Sequence, residues 1–170
     1  ESIETILEAA EYKTEGICKV LLVTGCLAER YKSEILSEIP EVDGVLGTAS
    51  FDEIAVALRG ACDGEKVEVY KELSHLPLPE TKRLNTTCGY TAYLKIADGC
   101  EKFCTYCVIP SIRGKYRSVP MERILEEARL LAADGAKELI LVAQETTLYG
   151  VDLYGKKALP ELLTKLCEIE

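Results

Sequence analysis

The stretch Thr91-Ala92-Tyr93-Leu94-Lys95-Ile96-Ala97-Asp98-Gly99-Cys100-Glu101-Lys102-Phe103-Cys104-Thr105-Tyr106-Cys107 decides how the rest of the chain is read. Its first half is strand-like, and its second half sets three thiols in the spacing C-x3-C-x2-C. Gly99 lets the backbone turn tightly where strand gives way to loop. Three sulfurs so close in sequence can converge on one metal centre. A structural zinc site normally takes four protein ligands. No fourth cysteine or histidine stands nearby, and the single histidine, His75, lies well upstream. The pattern therefore favours an iron–sulfur cluster with one open iron over zinc, and over buried or redox-paired thiols.

Working outward on the C-terminal side, Pro120 suits the first turn of a helix, with Ser118 or Val119 just before it. Ile124, Leu125, Ala128, Leu131 and Ala132 form its buried stripe, and Asp134-Gly135 stops it. Lys137 to Ala143 (KELILVA) reads as a second buried parallel strand. A polar loop, residues 144–157, then leads to a helix over Leu159–Ile169 with Pro160 in its first turn. Strand–helix–strand–helix is the repeating unit of a βα barrel, and two repeats do not close one. Ligand sites in such architectures lie at the C-terminal ends of strands. Cys100, Cys104 and Cys107 follow the first strand and Gln144-Glu145-Thr146 the second, so one small ligand can touch both.

On the N-terminal side, Ile3, Ile6, Leu7 and Ala10 give residues 2–12 the spacing of an amphipathic helix, ended by Gly16. Ile17 to Thr24 is an apolar run with the look of a strand covered on both faces. Gly25-Cys26 turns the chain into a helix over about 27–38, stopped by Pro40. Gly44-Val45-Leu46-Gly47 reads as a short strand. Ser50-Phe51-Asp52-Glu53 has the pattern of a capping box opening a helix to about Leu58. Residues 1–64 thus form part of a parallel βα domain. Residues 65–89 read as a linker: Val67 to Tyr70 alternates like an exposed strand, and Leu76-Pro77-Leu78-Pro79 is extended. Residues 90–170 begin the second domain. The fold class is α/β.

Composition narrows the function classes. Of the 170 residues, 48% are hydrophobic, enough for one medium domain or two small ones. No apolar run reaches the roughly 18 residues of a membrane span, and no signal-peptide pattern opens the chain. The expectation is a soluble, cytoplasmic protein with no membrane partner. Eight cysteines in such a chain point to metal or redox chemistry rather than disulfides. Cys18, Cys62, Cys88 and Cys167 show no ligand spacing and read as small buried or incidental hydrophobic residues. The net charge is −9. Residues 1–60 hold 12 acidic and 5 basic side chains, residues 61–98 hold 6 and 5, and residues 99–170 hold 11 and 10. An acidic first third argues against that segment gripping a nucleic-acid backbone, and suits either a basic protein partner or a solvated face. By contrast, Lys102, Arg113, Lys115 and Arg117 make the cysteine loop basic, against Glu101 alone. They can balance a thiolate-rich cluster or bind a carboxylate. Residue 1 is Glu and the sole methionine is Met121, so the chain is expected to be a piece of a longer protein.

The C-x3-C-x2-C spacing, with Tyr106 just before the last cysteine, resembles the signature of radical S-adenosylmethionine enzymes. The flanks Tyr93 to Cys100 and Cys107-Val108-Ile109-Pro110-Ser111-Ile112-Arg113-Gly114 resemble the methylthiotransferase branch of that superfamily. The resemblance implies a 4Fe-4S cluster on Cys100, Cys104 and Cys107, with the open iron chelating the amino and carboxylate groups of S-adenosylmethionine. One-electron reduction then cleaves the sulfonium and releases a deoxyadenosyl radical. It also implies that Tyr106 packs beside the cofactor, that Gln144 or Glu145 accepts from its ammonium group, and that Arg113, in a Ser-x-Arg-Gly pattern after the cluster, helps bind the cofactor.

On its own sequence, Cys26 reads as an ordinary small buried residue at a strand-to-helix turn. By resemblance, Gly25-Cys26-Leu27-Ala28-Glu29-Arg30 carries the third ligand of a second, auxiliary 4Fe-4S cluster, whose other two cysteines would precede residue 1. An electron donor such as flavodoxin or ferredoxin is implied as well. The loop Gln144-Glu145-Thr146-Thr147-Leu148-Tyr149-Gly150-Val151-Asp152-Leu153-Tyr154-Gly155 resembles the branch that methylthiolates an aspartate of a small-subunit ribosomal protein. Branches acting on adenosine in tRNA usually have an Asn-containing loop there. A tRNA methylthiotransferase and a non-catalytic metal-binding module are the alternatives. With the rest of the barrel and two auxiliary ligands outside residues 1–170, the chain alone is expected not to complete turnover.

Overall fold

The computed structural model describes residues 1–75 and 90–169. The chain divides into two units, Glu1–Pro79 and Glu80–Glu170. Leu76 to Pro79, expected as linker, and Cys88 lie outside the described residues.

In the first unit, α1 (Ser2–Thr14), β1 (Leu22–Thr24), α2 (Cys26–Tyr31), α3 (Ser33–Glu38), β2 (Gly44–Leu46), α4 (Ile54–Cys62) and β3 (Val67–Val69) follow in order. The three strands pair in parallel in the order β1-β2-β3, with Val23 beside Val45 and Val45 beside Glu68. Parallel strands need a crossover between them, and the helices supply it. Ile6, Val23, Ala28, Ile35, Val42 and Val45 form the buried core, to which α1, α2 and α3 each contribute one residue. Burying such a Val or Ile stabilises by about 1.5–3 kcal/mol. Asp43, just before β2, ties the layers together. It takes the Leu21 N–H at 2.9 Å and Lys13 Nζ at 2.5 Å, with Lys66 Nζ 3.7 Å away.

Several expectations change here. The strand expected over residues 17–24 is only Leu22–Thr24, and Ile17 stands 99% exposed. Its apolar run has no cover at its start. In α1, Ile6 and Ala10 are buried, but Ile3 and Leu7 are about half exposed. The single helix expected over 27–38 is two, broken at Lys32, whose φ is +47°. That left-handed residue costs on the order of 1–2 kcal/mol. The Lys32 ammonium lies 3.7 Å from Glu29 Oε1 and 5.2 Å from the centre of the Tyr70 ring, which helps hold it. Ser50 makes no capping box. Its hydroxyl accepts the Lys71 N–H at 2.8 Å, and a 3-10 turn (Phe51–Glu53) leads into α4 instead. Finally, β3 is the third strand of this sheet, so residues 67–69 are part of the unit and not of a linker.

The second unit runs β4 (Thr91–Lys95), β5 (Ala97–Asp98), α5 (Ile109–Arg113), β6 (Arg117–Ser118), α6 (Met121–Ala133), β7 (Glu138–Val142), α7 (Val151–Tyr154) and α8 (Leu159–Cys167). β4 and β7 pair in parallel, Thr91 beside Glu138 through Lys95 beside Val142. Alternation along β4 turns Ala92 and Leu94 inward, and Ile96 follows them; all three are fully buried. Met121, Ile124, Ala128 and Leu131 on α6 and Leu162 on α8 are buried in the same unit. β7, expected buried, leaves Ile140 and Val142 about two-fifths exposed, since β4 is its sole strand partner among the described residues. Cys62 and Cys167, expected as small buried or incidental residues, are exposed on the last turns of α4 and α8.

Candidate functional site

The cysteine loop spans the gap between β5 and β6, which pair antiparallel, Ala97 beside Ser118 and Asp98 beside Arg117. The loop therefore leaves and re-enters the fold at one point. Ile96 sits at that junction: its N–H donates to the Val142 carbonyl (3.0 Å), and its own carbonyl accepts from the Val119 N–H (2.9 Å). Cys100 N–H then donates to the Gly114 carbonyl at 3.1 Å. Gly99 has φ +79°, and a Cβ there would overlap the carbonyls of Gly114 and Lys115. Only glycine allows strand and return path to approach this closely.

Asp98 is the electrostatic centre of the base, 4% exposed. Its carboxylate accepts from Lys95 Nζ (2.7 Å), Arg113 Nη1 (3.3 Å) and the Gly99 N–H (2.9 Å). Burial alone would raise this carboxyl. The hydrogen bond and charge of Lys95, with the Arg113 charge and the Gly99 N–H, outweigh it and hold Asp98 below the ordinary range. A buried carboxylate needs such partners. No role was expected of Asp98 or Lys95. The available signal was a charged residue closing the apolar run Leu94-Lys95-Ile96-Ala97.

The loop after β7 meets this base. Gln144 Oε1 accepts the Gly99 N–H at 2.9 Å, sharing it with Asp98. Glu145 pairs with Lys102 and accepts from the Thr147 N–H at 3.0 Å and from its hydroxyl. Lys102 and the two Thr147 donors pull the Glu145 carboxyl down to about 2. So the two strand-end loops are in contact, through Gln144 and Glu145. Glu145 does bind an ammonium, that of Lys102. Arg113, expected to face a cofactor, has its guanidinium against Asp98. Arg117 donates to the Lys115 and Arg113 carbonyls at 2.8 and 3.1 Å. The basic residues of this loop are thus largely engaged within it.

Cys100 and Cys107 are partly covered and Cys104 is exposed. A turn in which the Cys107 N–H donates to the Cys104 carbonyl (2.9 Å) brings the last two close along the backbone. The three thiols lie on one loop but are not gathered: among the described residues, no three His, Cys, Asp or Glu side chains are placed to hold a metal ion. The donor set itself, three unpaired thiols with a lysine beside Cys100 and Cys104, fits a cluster that takes three thiolates. Tyr106 is 91% exposed, and Phe103, three residues earlier with φ +45°, is exposed as well. In the first unit, Cys26 opens α2 directly after β1, behind Gly25 at φ +104°. Three residues on, the buried Glu29 accepts the Thr48 N–H at 3.0 Å.

A cysteine loop of this spacing thus stands past the end of the first of two parallel strand–helix units. Residues 94–170 match the family described as the Radical SAM superfamily. All 170 residues are 62% identical to a stretch of the ribosomal protein uS12 methylthiotransferase RimO of Lachnoclostridium phytofermentans, covering 39% of that protein. Proteins of the same name from Clostridium botulinum and Clostridium kluyveri are 49% and 47% identical, each covered over 38%. The chain spans about two-fifths of the length of these curated relatives. No helix among the described residues is long and apolar enough to cross a membrane.

Proposed function

We propose that the full-length protein carrying this chain is a radical S-adenosylmethionine methylthiotransferase acting on an aspartate of ribosomal protein uS12 in the cytoplasm. The observation that carries this reading is the Cys100–Cys107 loop on a strand end, in a chain 62% identical throughout to a protein of that name. Cys100, Cys104 and Cys107 would hold a 4Fe-4S cluster. When bound, the cluster supplies the electron that cleaves S-adenosylmethionine. The protein's own part is to bind and orient. Asp98 fixes the start of the loop through Gly99, and Lys102 lies beside Cys100 and Cys104. Tyr106 is free to fold over a bound cofactor. For Gln144, Glu145 and Arg113, whose polar atoms are engaged, the reading is that they orient the loop and exchange partners when the cofactor enters. Cys26 is proposed as one ligand of the auxiliary 4Fe-4S cluster, and a flavodoxin- or ferredoxin-type protein as electron donor.

Mass spectrometry of ribosomal protein uS12 and of tRNA nucleosides from a strain lacking the gene tests the reading. The expected result is loss of the methylthio group from the aspartate with methylthioadenosine unchanged. The reverse pattern would assign the protein to tRNA.

A further inference from the structure

The later part of the Gln144–Gly155 loop, a loop whose sequence resembles one substrate branch, packs against the residues that close the cysteine loop. β6 is two residues long and pairs with a two-residue β5. So short a ladder does not hold itself. Five hydrogen bonds from residues 149–154 land on the four residues Ser118 to Met121 that follow the loop. Asp152 takes the Ser118 N–H on Oδ2 (2.7 Å) and the Ser118 hydroxyl on Oδ1 (2.6 Å). The Gly150 N–H donates back to Ser118 Oγ at 2.9 Å, and Ser118 is 3% exposed. The hydroxyl of fully buried Tyr149 donates to the Val119 carbonyl at 2.9 Å, and the Met121 N–H donates to the Tyr154 hydroxyl at 2.9 Å. α7 is a single turn bracketed by Gly150 and Gly155, both left-handed. One turn has no stability of its own. It serves to present Asp152 and Tyr154.

We infer that Asp152 is a positioning residue for the cysteine loop, acting through Ser118 on β6 and across the ladder on Asp98 and Gly99. The consequence for cluster retention rests on the radical S-adenosylmethionine reading; the clamp itself does not. Both hydrogen bonds of the Asp152 carboxylate go to Ser118, so its effect passes through the closing strand.

The test uses the full-length protein with Asp152→Asn, which keeps the size but loses the charge and one acceptor, and with Ser118→Ala. In the cluster-free protein, amide hydrogen exchange over residues 99–118 accelerates about tenfold in Asp152→Asn while α6 and α8 keep their rates. After anaerobic reconstitution, Asp152→Asn takes up as much iron as the parent protein but loses it faster to a chelator. Ser118→Ala reproduces the exchange effect, and the double variant falls short of the product of the two, since both remove one link. Unchanged exchange over 99–118, acceleration spread equally through α6 and α8, or fully multiplicative effects would overturn the inference. The exchange arm needs no iron, so absence of any cluster from the parent protein would sink the functional reading and leave the clamp standing.

Discussion

Cys26 and Cys100 occupy the same kind of place in their two units. Cys26 comes just after the parallel strand β1, and Cys100 just after β5, the short antiparallel strand beyond parallel β4; each follows a glycine with positive φ, +104° at Gly25 and +79° at Gly99. The tethers run in opposite directions. In the first unit, Glu29 on the cysteine's own helix reaches out to the backbone of the neighbouring strand's loop, at Thr48. In the second, side chains of the neighbouring loop reach in, Gln144 to Gly99 and Glu145 to Lys102. The glycines differ as well. A Cβ at Gly25 meets nothing within 4 Å, while one at Gly99 overlaps two carbonyls. The first is an ordinary strand-to-helix turn that carries a thiol. The second is a closed loop, pinned at its neck by buried charge and by its neighbours.

The sharpest way to break this comparison is alanine at each glycine. Gly99→Ala must strain the backbone and separate β5 from β6, at a cost of roughly 3 kcal/mol or more. Gly25→Ala meets only the strain of its backbone dihedrals, φ +104° and ψ −159°, about 1–3 kcal/mol. Denaturant unfolding followed by hydrogen exchange in each unit reads both; equal costs would erase the distinction. Next in size, Glu29→Ala leaves the Thr48 N–H without its carboxylate, which costs about 1–3 kcal/mol. The loss is confined to exchange protection in α2 and residues 47–50, and an unaltered midpoint would show that the tether carries nothing.

A pH titration separates the units more gently. Burial would raise Asp43, but Lys13, the Leu21 N–H and Lys66 outweigh it and hold its carboxyl below the ordinary 3.8. A lowered folded pKa gives stability that is complete above the unfolded value and is lost as pH falls through the folded one. The first unit should therefore weaken below about pH 4, and Asp43→Asn should flatten that slope. A slope unchanged in the variant would remove Asp43 from the explanation. The smallest effect belongs to Gln144→Ala. Asp98 still accepts the Gly99 N–H, so the cost is about 1 kcal/mol or less. A larger loss would mean that Gln144, rather than Asp98, fixes the loop.

Much of the molecule was legible in its sequence. The parallel α/β class, the helices over 121–133 and 159–167, and the placing of both loops at strand ends follow from periodicity and from Pro160 and Gly135 as start and stop signals. What escaped were features set by partners distant in sequence. Ser118 looks like a helix cap, yet its hydroxyl is committed to Asp152, 34 residues away. Ser50 has the pattern of a capping box, yet it serves the Lys71 backbone. Lys32 carries no local sign that a helix breaks there. The basic character of the cysteine loop was read correctly from composition, but the buried Asp98 that absorbs Arg113 could be recognised only once the fold had placed it beneath the loop. The same holds for Tyr149, Asp152 and Tyr154, whose wording resembles a branch signature and whose atoms brace β6.

The central claim is that Cys100, Cys104 and Cys107 together hold an iron–sulfur cluster. Anaerobic reconstitution of the full-length protein with iron and sulfide, set against Cys104→Ala, tests it most directly. The predicted result is that Cys104→Ala lowers bound iron and sulfide by about four of each, the content of one 4Fe-4S cluster. Iron and sulfide content that is the same with and without Cys104, or uptake of zinc alone on this loop, would contradict it.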